Sequence, residues 1–324
     1  MPRLLITGIT GLIGKAVLSR ILEEKLDFEI TALVRPGSGV ERLAPFVGKV
    51  AIKELDLSDT HGLKDYLWEN EFDVVVHIGA LRGGRKFPRQ EYLAANLLST
   101  QQIVEYCSAK QAKLLFCSSV GVFGAIPNEL PANNESDRNP DNFYHYTKIE
   151  CEKTITHAVL TGLNAAILRP SITYGKGDKG FPYQLVGMVD KHHFMVSNKR
   201  VWIHLCHIDT IVGAFIWLLK NEFRPGLTLN IADREPVALS DLVNFISRQL
   251  HGKNYPTYLK LDHRLFHLGE KISRGLNNEL WVSRFQLISR SWFFYVRDAY
   301  DLMGLPETFT IPGIKICIDD YQAD

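Results

Sequence analysis

The segment TGITGLIG, residues 7–14, constrains the fold of this chain more than any other segment. It follows the apolar run Leu4–Ile6, and its three glycines lie three residues apart. Apolar residues then recur four apart, at Ile13, Val17 and Ile21. Glycines alone also suit a tight corner. A strand, a glycine-rich turn and an amphipathic helix in this order are instead typical of a site that holds a dinucleotide phosphate at a helix N-terminus.

Strand and helix patterns alternate through the first half of the chain. The predicted strands are Leu4–Thr7, Glu29–Val34, Val50–Leu55, Asp73–Ile78, Lys113–Cys117 and Ala165–Leu168. The predicted helices begin after the glycines, after a cap at Ser58 or Asp59, and at Glu91–Lys110 and Phe143–Leu160. Such alternation predicts an α/β fold with a doubly wound parallel sheet of the Rossmann type.

The composition changes after residue 170, where loops rich in glycine, lysine and aspartate come first. We expect residues 1–170 to form a dinucleotide-binding domain, with residues 201–231 returning to its sheet. Residues 171–200 and 232–324 then form a smaller C-terminal cap that binds substrate. The cap carries many aromatic residues, among them Trp281, Trp292, Phe293, Phe294 and Tyr295.

Length, charge and cysteine content limit the class of protein. The 324 residues carry a net charge of +1, so no strong field attracts nucleic acid or an anionic membrane. Five scattered cysteines form no CxxC pair, which favours a reduced compartment. The N-terminus lacks the layout of a signal peptide, and the apolar run Ile211–Leu219 is too short to cross a bilayer. We therefore expect a cytoplasmic protein without stable membrane insertion.

Four residues in the middle of the chain point to proton transfer. Tyr144 and Lys148 lie four apart and share one face of the predicted helix. A phenol titrates near 10, and a neighbouring ammonium favours its ionised form, which makes it a usable acid and base. Ser118 and Ser119 follow a predicted strand, where a hydroxyl can hydrogen-bond a substrate oxygen. An isolated Tyr/Lys pair is more often a solvated helix face, so the pair counts only together with the other motifs.

The chain resembles the extended short-chain dehydrogenases/reductases, an epimerase/dehydratase-like family, over nearly its whole length. The motifs that carry the resemblance are TGITGLIG, Asp56-Leu57, His77–Ala80, Asn96, SSVGVFG, Tyr144-x-x-x-Lys148, LRPSITYG at residues 168–175, and HID at residues 207–209. They occur in the order that the family has.

The resemblance implies roles for the matching residues. Tyr144 is the implied general acid/base, Lys148 lowers its pKa and holds the nicotinamide ribose, and Ser119 polarises the substrate oxygen, with Ser118 as the alternative. Asn96 is implied to hold the lysine through water. The implied contacts of the dinucleotide are Thr7, Gly8, Thr10, Gly11, Leu12, Ile13, Gly14, Arg35, Asp56, Leu57, Gly79, Ala80, Tyr144, Lys148, Pro170, Ser171 and Ile172.

The identity of the dinucleotide depends on the end of the second strand. An acidic residue there would bind the ribose 2′-hydroxyl of NAD. Arg35 stands at that position, and a guanidinium attracts the 2′-phosphate of NADP instead. We therefore expect NADP as the cofactor, with NAD as the alternative. His204 and His207 lie three apart on a strand-like segment and face opposite ways, so we expect no metal.

The main expectation is an NADP-dependent oxidoreductase that interconverts an alcohol and a carbonyl on a small, apolar or ring-containing molecule. The C-terminal segment 283–306 resembles the hydroxysteroid-dehydrogenase and dihydroflavonol-reductase branches, which favours this function. One alternative is a nucleotide-sugar epimerase or dehydratase with tightly bound NAD. Another is a regulator that binds a dinucleotide without catalysis. The resemblance also implies a homodimer through Glu91–Lys110 and Phe143–Leu160.

Overall fold

A computed structural model describes residues 1–82, 87–276 and 278–324 of the chain. Its strands are β1 (Arg3–Thr7), β2 (Glu29–Val34), β3 (Ala51–Glu54), β4 (Val74–His77), β5 (Lys113–Cys117), β6 (Ala165–Pro170), β7 (Ile172–Tyr174), β8 (Val196–Ser197), β9 (Trp202–Ile203), β10 (Leu205–His207), β11 (Leu227–Ile231), β12 (Val237–Ala238) and β13 (Lys260–Leu261). Its helices are α1 (Leu12–Glu23), α2 (Val40–Leu43), α3 (Thr60–Glu69), α4 (Arg89–Tyr92), α5 (Ser99–Lys110), α6 (Phe143–Leu160), α7 (Phe181–Asp190), α8 (Ile208–Lys220), α9 (Leu239–His251), α10 (His263–Gly275), α11 (Glu279–Ser289), α12 (Arg297–Met303), α13 (Thr310–Gly313) and α14 (Lys315–Ala323).

Seven of the strands form one sheet in the order β11–β6–β5–β4–β1–β2–β3. The pairings from β6 across to β3 are parallel. Strands buried on both faces need apolar residues at every position, and Val74, Val75 and Val76 are all buried. This sheet confirms the predicted doubly wound α/β fold.

The core of the sheet is built from residues that face the helices α5 and α6. Val75 and Leu114 on neighbouring strands pack in one cluster with Ile103 from α5 and Ile155 from α6. All four side chains are fully buried. Since burying an aliphatic side chain of this size contributes about 1.5–3 kcal/mol, this cluster fixes α6 against the sheet.

Contacts divide the chain into two compact units. The first comprises Met1–Val122, Asn142–Arg169 and Val212–Leu229, and the second comprises Phe123–Asp141, Pro170–Ile211 and Asn230–Asp324. Three two-stranded sheets pair β7 with β10, β9 with β12, and β8 with β13. Of residues 201–231, which the sequence predicts to return to the large sheet, β11 forms an edge strand of that sheet, whereas β9 and β10 lie outside it. Alternation along such short strands does not identify a partner, because pairing is non-local.

Within the second unit, a buried carboxylate connects the ends of several elements. Asp233 accepts hydrogen bonds from the hydroxyl of Tyr174 at 2.8 Å and from the backbone N–H of His207 at 2.8 Å. It also accepts from the hydroxyls of Thr308 at 2.9 Å and Thr310 at 2.5 Å. Four donors compensate for the loss of water around this carboxylate. Burial, with a smaller effect of Asp233, raises the pKa of Tyr174, so this phenol stays protonated.

Among the described residues, no helix combines the length and apolar character that a membrane span requires. The five cysteines, all within the described ranges, are buried thiols.

The ends of β1 and β4 are joined by a buried histidine. In His77, Nδ1 lies 2.9 Å from Oγ1 of Thr7 and Nε2 lies 3.2 Å from Oγ1 of Thr100. Burial, with a smaller contribution from the charge of Lys148, lowers the pKa of His77 to about 3. The histidine is therefore neutral in the folded protein at neutral pH.

We predict that this histidine makes the fold sensitive to acid. An unfolded histidine titrates near 6.5, so below that pH the unfolded chain binds a proton that folded His77 does not bind. Stability is thus complete above about pH 6.5 and is lost as the pH falls towards about 3. The free energy of unfolding in urea, measured from pH 7 to pH 4, should fall progressively.

The variant His77→Gln should flatten this pH dependence, even if its stability at pH 7 is lower. The exposed His61 on α3 provides the matched control, and His61→Gln should keep the slope of the unmodified protein. An equal slope in the His77→Gln variant would show that this histidine is not responsible.

Candidate functional site

The strand register gathers the candidate residues at one edge of the sheet. Thr7 at the end of β1 pairs with His77 at the end of β4, and His77 pairs with Phe116 on β5. The segments that follow these strands therefore leave the sheet side by side. In a parallel sheet, this carboxyl edge is where ligands bind.

The three glycines after β1 have different structural roles. Gly8 has a φ of +81°, and a Cβ there would lie 2.6 Å from the nitrogen of Gly79. A Cβ at Gly14 would lie 2.2 Å from the carbonyl oxygen of Gly8. The folded chain itself therefore requires glycine at these two positions. At Gly11 the nearest atom would be 3.4 Å away, an ordinary contact, so the fold alone tolerates a side chain there.

The N-terminus of α1 is suited to an anion. Gly11 is its N-cap, no side chain caps it, and its first turn contains no acidic residue. The first backbone N–H groups of a helix have no partner within the helix, and the helix dipole favours negative charge there. Gly11 is exposed, while Leu12 and Ile13 are partly buried. A diphosphate approaching this turn would meet N–H groups and no side chain at Gly11, so the residues fit the predicted dinucleotide.

Several predicted dinucleotide contacts are brought together beside this turn. Oγ1 of Thr7 accepts from the N–H of Gly79 at 2.9 Å, so Thr7 holds the loop after β4. A Cβ at Gly79 would meet Leu57 at 2.8 Å, which places these two residues in contact. After β3, Oδ1 of Asp56 accepts from the N–H and hydroxyl of Ser58 at 2.9 and 2.8 Å.

The remaining predicted contacts lie in the turns after β1 and β4, directly after β2, and in the second unit. Thr10 and Ala80 are partly buried, in the turns that follow β1 and β4. Arg35 is exposed directly after β2. Pro170, Ser171 and Ile172 belong to the second unit, where the N–H of Ser171 donates to the carbonyl oxygen of Ile231 at 2.9 Å. Their role toward a dinucleotide stays a prediction.

Tyr144 and Lys148 lie on α6, which begins as predicted. The side chain of Asn142 caps the helix by accepting from the N–H of His145 at 2.9 Å. Tyr144 is half-buried, whereas Lys148 is only 3% exposed. The ammonium of Lys148 donates to the carbonyl oxygen of Cys117 at 2.7 Å and lies 4.5 Å from the ring centre of Phe116. Lys148 is thereby fixed against the end of β5.

The two serines after β5 face different partners. Ser118 is buried, and its hydroxyl donates to Oε1 of Glu152 at 2.5 Å. Ser119 is partly exposed and accepts from the N–H of Gly121 at 3.0 Å. Against the larger effect of burial, the side chain of Ser119 also lowers the pKa of Tyr144. Ser118 is thus engaged by Glu152, and Ser119 is the serine that acts on the tyrosine.

Burial dominates the proton chemistry of this group. Burial raises the pKa of Tyr144, and the charge of Arg82 and the hydrogen bond from Ser119 oppose that rise. Burial lowers the pKa of Lys148, and Cys117, Cys151 and Glu152 oppose that fall. Tyr144 is thus a protonated phenol at neutral pH. The cationic side chain that counteracts its raised pKa is Arg82, and the predicted effect of Lys148 on Tyr144 stays a prediction.

A buried ion pair supports Ser118 and helix α6. Nε of Arg169 on β6 donates to Oε1 of Glu152 at 2.8 Å, and Nη2 donates to Oε2 at 2.7 Å. The two side chains are 4% and 7% exposed. Glu152 lies one turn beyond Lys148 on α6 and also accepts from Ser118. The network ties α6, β6 and the end of β5 together.

Asn96 anchors backbone beside the site. It lies in a π-helical turn, Leu93–Leu98, within the predicted helix Glu91–Lys110. Oδ1 accepts from the N–H of Leu81 at 2.7 Å, while Nδ2 donates to the carbonyl oxygen of Leu81 at 3.0 Å and to Oγ1 of Thr147 at 3.0 Å. Asn96 thus joins the loop after β4 to α6, and its implied water link to Lys148 stays a prediction. Single π-turns within helices are frequent at functional sites.

The sequence analysis missed Glu152, Arg169 and Arg82. A signal for the first two exists, because Arg169 ends the otherwise apolar run Ala165–Leu168 and Glu152 lies four residues after Lys148. Charges in buried segments are rare unless they are paired. Arg82 gives no such signal, since its effect on Tyr144 arises from the fold of the loop after β4. Within the described ranges, no group of three or more His, Cys, Asp or Glu side chains could hold a metal ion.

Comparison with known proteins identifies a family that matches the sequence around this site. A family model described as the NAD dependent epimerase/dehydratase family matches residues 4–232, which include all the site residues of the first unit. The chain is 30% identical to a dTDP-glucose 4,6-dehydratase from Mycolicibacterium smegmatis over 242 residues, 70% of this chain and 71% of that protein.

Two further similar proteins have names that describe different functions. The beta subunit of methionine adenosyltransferase 2 from Xenopus tropicalis is 30% identical over 200 residues, 61% of this chain, and the chain spans only 54% of that protein. The N-acetyl-alpha-D-glucosaminyl-diphospho-ditrans,octacis-undecaprenol 4-epimerase from Escherichia coli O157:H7 is 24% identical over 255 residues, 77% of this chain and 72% of that protein.

Solved structures share the fold. The UDP-glucuronic acid 4-epimerase from Bacillus cereus, in complex with UDP-glucuronic acid and NAD, aligns with a TM-score of 0.76 at 17% identity. The alignment covers 99% of each chain.

We predict that the buried ion pair is essential for the stability of the first unit. The variant Glu152→Gln leaves the charge of Arg169 buried without its counter-charge, which should cost about 3–5 kcal/mol of unfolding free energy. The variant Glu150→Gln, on the same helix in a surface pair with Lys153, should cost less than about 1 kcal/mol. Urea denaturation followed by circular dichroism measures both.

Replacing both partners separates charge from packing. The double variant Glu152→Met, Arg169→Met should recover part of the stability that Glu152→Gln loses, since no unpaired charge remains. Equal stability of Glu152→Gln and the unmodified protein would show that the pair does not hold α6 in place.

Proposed function

This chain belongs to the NAD-dependent epimerase/dehydratase family, and from that membership we propose that it epimerises or dehydrates a sugar carried on a nucleoside diphosphate. The observation that carries the proposal is the buried Lys148, held against Cys117 one helical turn after Tyr144 on α6, within the matched residues. Ser119 follows the strand that ends at Cys117 and, against the larger effect of burial, lowers the pKa of Tyr144. The name of the 30%-identical dTDP-glucose dehydratase supports a nucleotide-linked sugar. This was the first alternative in the sequence analysis, and it now has more support than a net oxidoreductase of apolar molecules.

A nicotinamide dinucleotide would be held by the first unit. The uncapped N-terminus of α1 and the open position at Gly11 suit its diphosphate. Asp56 follows β3 and Gly79 follows β4, where Gly79 contacts Leu57, and both residues suit the adenosine half. When bound, the nicotinamide supplies a reversible hydride acceptor, which is the chemistry that the side chains lack.

The side chains would move the proton. In oxidation, Tyr144 would first lose its phenolic proton to solvent, and the phenolate would then take the proton of the sugar hydroxyl; in reduction, the phenol would return that proton to the carbonyl oxygen. Ser119 accepts from Gly121, and with substrate bound its hydroxyl hydrogen would turn from Tyr144 to the substrate oxygen. Lys148 is held against Cys117 and contributes positive charge next to the reacting groups.

A second candidate function rests on Arg35. This exposed guanidinium follows β2, where it could bind a 2′-phosphate and select NADP. An NADP enzyme that releases its cofactor after each turnover would be a net reductase of a carbonyl substrate. Tyr144 would then act mainly as the acid, in keeping with its raised pKa.

Three further expectations from the sequence are also proposals. They are a cytoplasmic location, substrate binding by residues of the second unit, and a homodimer through the two long helices. Exposed Leu98 and Tyr146 on those helices support the dimer.

The proposed function is tested by incubating the protein with UDP-, dTDP- and CDP-hexoses, with NAD or with NADPH. We expect an epimer or a 4-keto sugar by proton NMR, without net change of the absorbance of the reduced dinucleotide. Stoichiometric loss of NADPH with reduction of a carbonyl would replace the epimerase/dehydratase by the second candidate. Dinucleotide binding without any turnover would contradict both and favour a regulator.

We predict that Gly11→Val abolishes dinucleotide binding in a folded protein. The added side chain has room within the chain itself but occupies the approach to α1. Gly14→Ala is the contrasting variant, because its Cβ meets Gly8 and should impair folding. Calorimetric titration and circular dichroism distinguish the two, and normal affinity in folded Gly11→Val would refute the assignment.

We predict that Tyr144→Phe lowers turnover about 10²–10⁴-fold while folding and dinucleotide binding persist. Lys148→Met should lower turnover and weaken dinucleotide binding, whereas Ser119→Ala should lower turnover alone. Tyr146→Phe, on an exposed position of the same helix, is the matched control. Near-normal turnover of Tyr144→Phe would remove this residue from the mechanism.

We predict that Arg35→Ala weakens NADPH binding about 10–100-fold, since a hydrogen bond to a charged group contributes about 1.5–3 kcal/mol. Binding of NADH should not change. Arg224→Ala, at another exposed arginine, should alter neither affinity. If the unmodified protein binds NADH more tightly than NADPH, the second candidate loses its support and the first does not.

A further inference from the structure

Helix α10, in the second unit, has an apolar stripe that no part of the described chain covers. Leu265, Leu268 and Ile272 are 53%, 54% and 55% exposed, and Leu276, the C-cap, is 74% exposed. At 3.6 residues per turn, these four side chains fall within an arc of about 80°. We call these four residues the α10 stripe.

The packing of α10 accounts for its other side. Phe266, Glu270 and Ser273 are buried, and Gly269 packs against the ring of Phe285 on α11. Helix α10 thus satisfies its core contacts without the α10 stripe. Exposed apolar residues are common singly, but four in one row are typical of an interaction surface.

Basic residues border the α10 stripe. Arg264 and Lys271 are exposed and lie on the side of the helix away from the buried face. The only acidic side chain of α10, all of whose residues the structure describes, is Glu270. Glu270 is buried and paired with Arg274 at 3.0 Å and Arg290 at 2.6 Å. The exposed part of α10 is therefore apolar and positively charged.

Two exposed aromatic residues lie on the elements next to α10. Tyr258 precedes α10 and is 74% exposed, and Trp281 on the packed helix α11 is 47% exposed. Tyrosine and tryptophan favour the headgroup layer of a membrane, where one end of the ring is apolar and the other is hydrated. A helix with leucines on one stripe and Lys/Arg beside it is the pattern of an interfacial membrane helix.

We propose that the α10 stripe docks this protein reversibly on an anionic lipid surface. The leucines would enter the boundary of the acyl chains, and Arg264 and Lys271 would contact lipid phosphates. The net charge of the chain is only +1, so this local surface and not the whole molecule would provide the attraction. A second copy fits less well, because a twofold contact would bring the basic residues of both stripes together. The proposal does not depend on the proposed function.

Vesicle co-sedimentation tests it with the full chain. We expect binding to phosphatidylcholine vesicles that contain about 30% phosphatidylglycerol, and much less binding to pure phosphatidylcholine or at about 1 M salt. Leu268→Ser with Ile272→Ser should lower the affinity for the anionic vesicles about tenfold or more. Lys271→Glu should weaken binding to anionic vesicles only.

The control is Leu160→Ser, at an 81%-exposed leucine of α6, which should bind as the unmodified protein does. Circular dichroism verifies that each variant is folded. The proposal is overturned if the unmodified protein stays in the supernatant, or if the Leu268/Ile272 variant sediments normally. It is also overturned if gel filtration shows a dimer that this variant loses while vesicles bind neither protein.

Discussion

The contact between Glu152 and Arg169 fixes the geometry on which the site of the first unit depends. It joins α6 to β6 through two hydrogen bonds, and Ser118 adds a third at the end of β5. Removing two charges from water is costly, and a bidentate pair compensates for that cost only in one orientation. The contact therefore positions α6 more than it adds net stability. Lys148, one turn earlier, can then donate to Cys117, the neighbour of the serines.

The glycines show how the same residue type can serve the fold or a ligand. Gly8 and Gly14 are needed because backbone atoms lie where their side chains would be. Gly11 has ordinary space around it, so the fold itself does not require glycine there, and the proposed dinucleotide would. The spacing of the three glycines in the sequence does not distinguish their roles. The distance from an added Cβ to the nearest atom shows which of them the packing of the chain requires.

Local patterns predicted the elements that decide the fold. Helix α6 and strand β5 have the predicted bounds, because a cap at Asn142 and a short apolar run between polar residues are local signals. Outside the main sheet, β9 pairs with β12 and β10 pairs with β7. These pairings were not predictable from the sequence, since they depend on residues far along the chain. The same holds for Asn96, whose partners Leu81 and Thr147 come from separate elements. The sequence contains a signal for the Glu152–Arg169 pair, a charged residue at the end of an apolar run. Only the structure shows that the two side chains are buried together.

Burial also links the geometry of this site to its proton chemistry. It raises the pKa of Tyr144 and lowers the pKa of Lys148, so both effects favour the neutral forms of the two side chains. The carboxylate of Glu152 acts against the second effect and favours the ammonium of Lys148. The residue that orients α6 through Arg169 therefore also helps to keep the lysine charged. In the proposed reaction, a neutral Tyr144 phenol can give a proton to a carbonyl oxygen directly, whereas oxidation of an alcohol first requires the phenol to lose its proton.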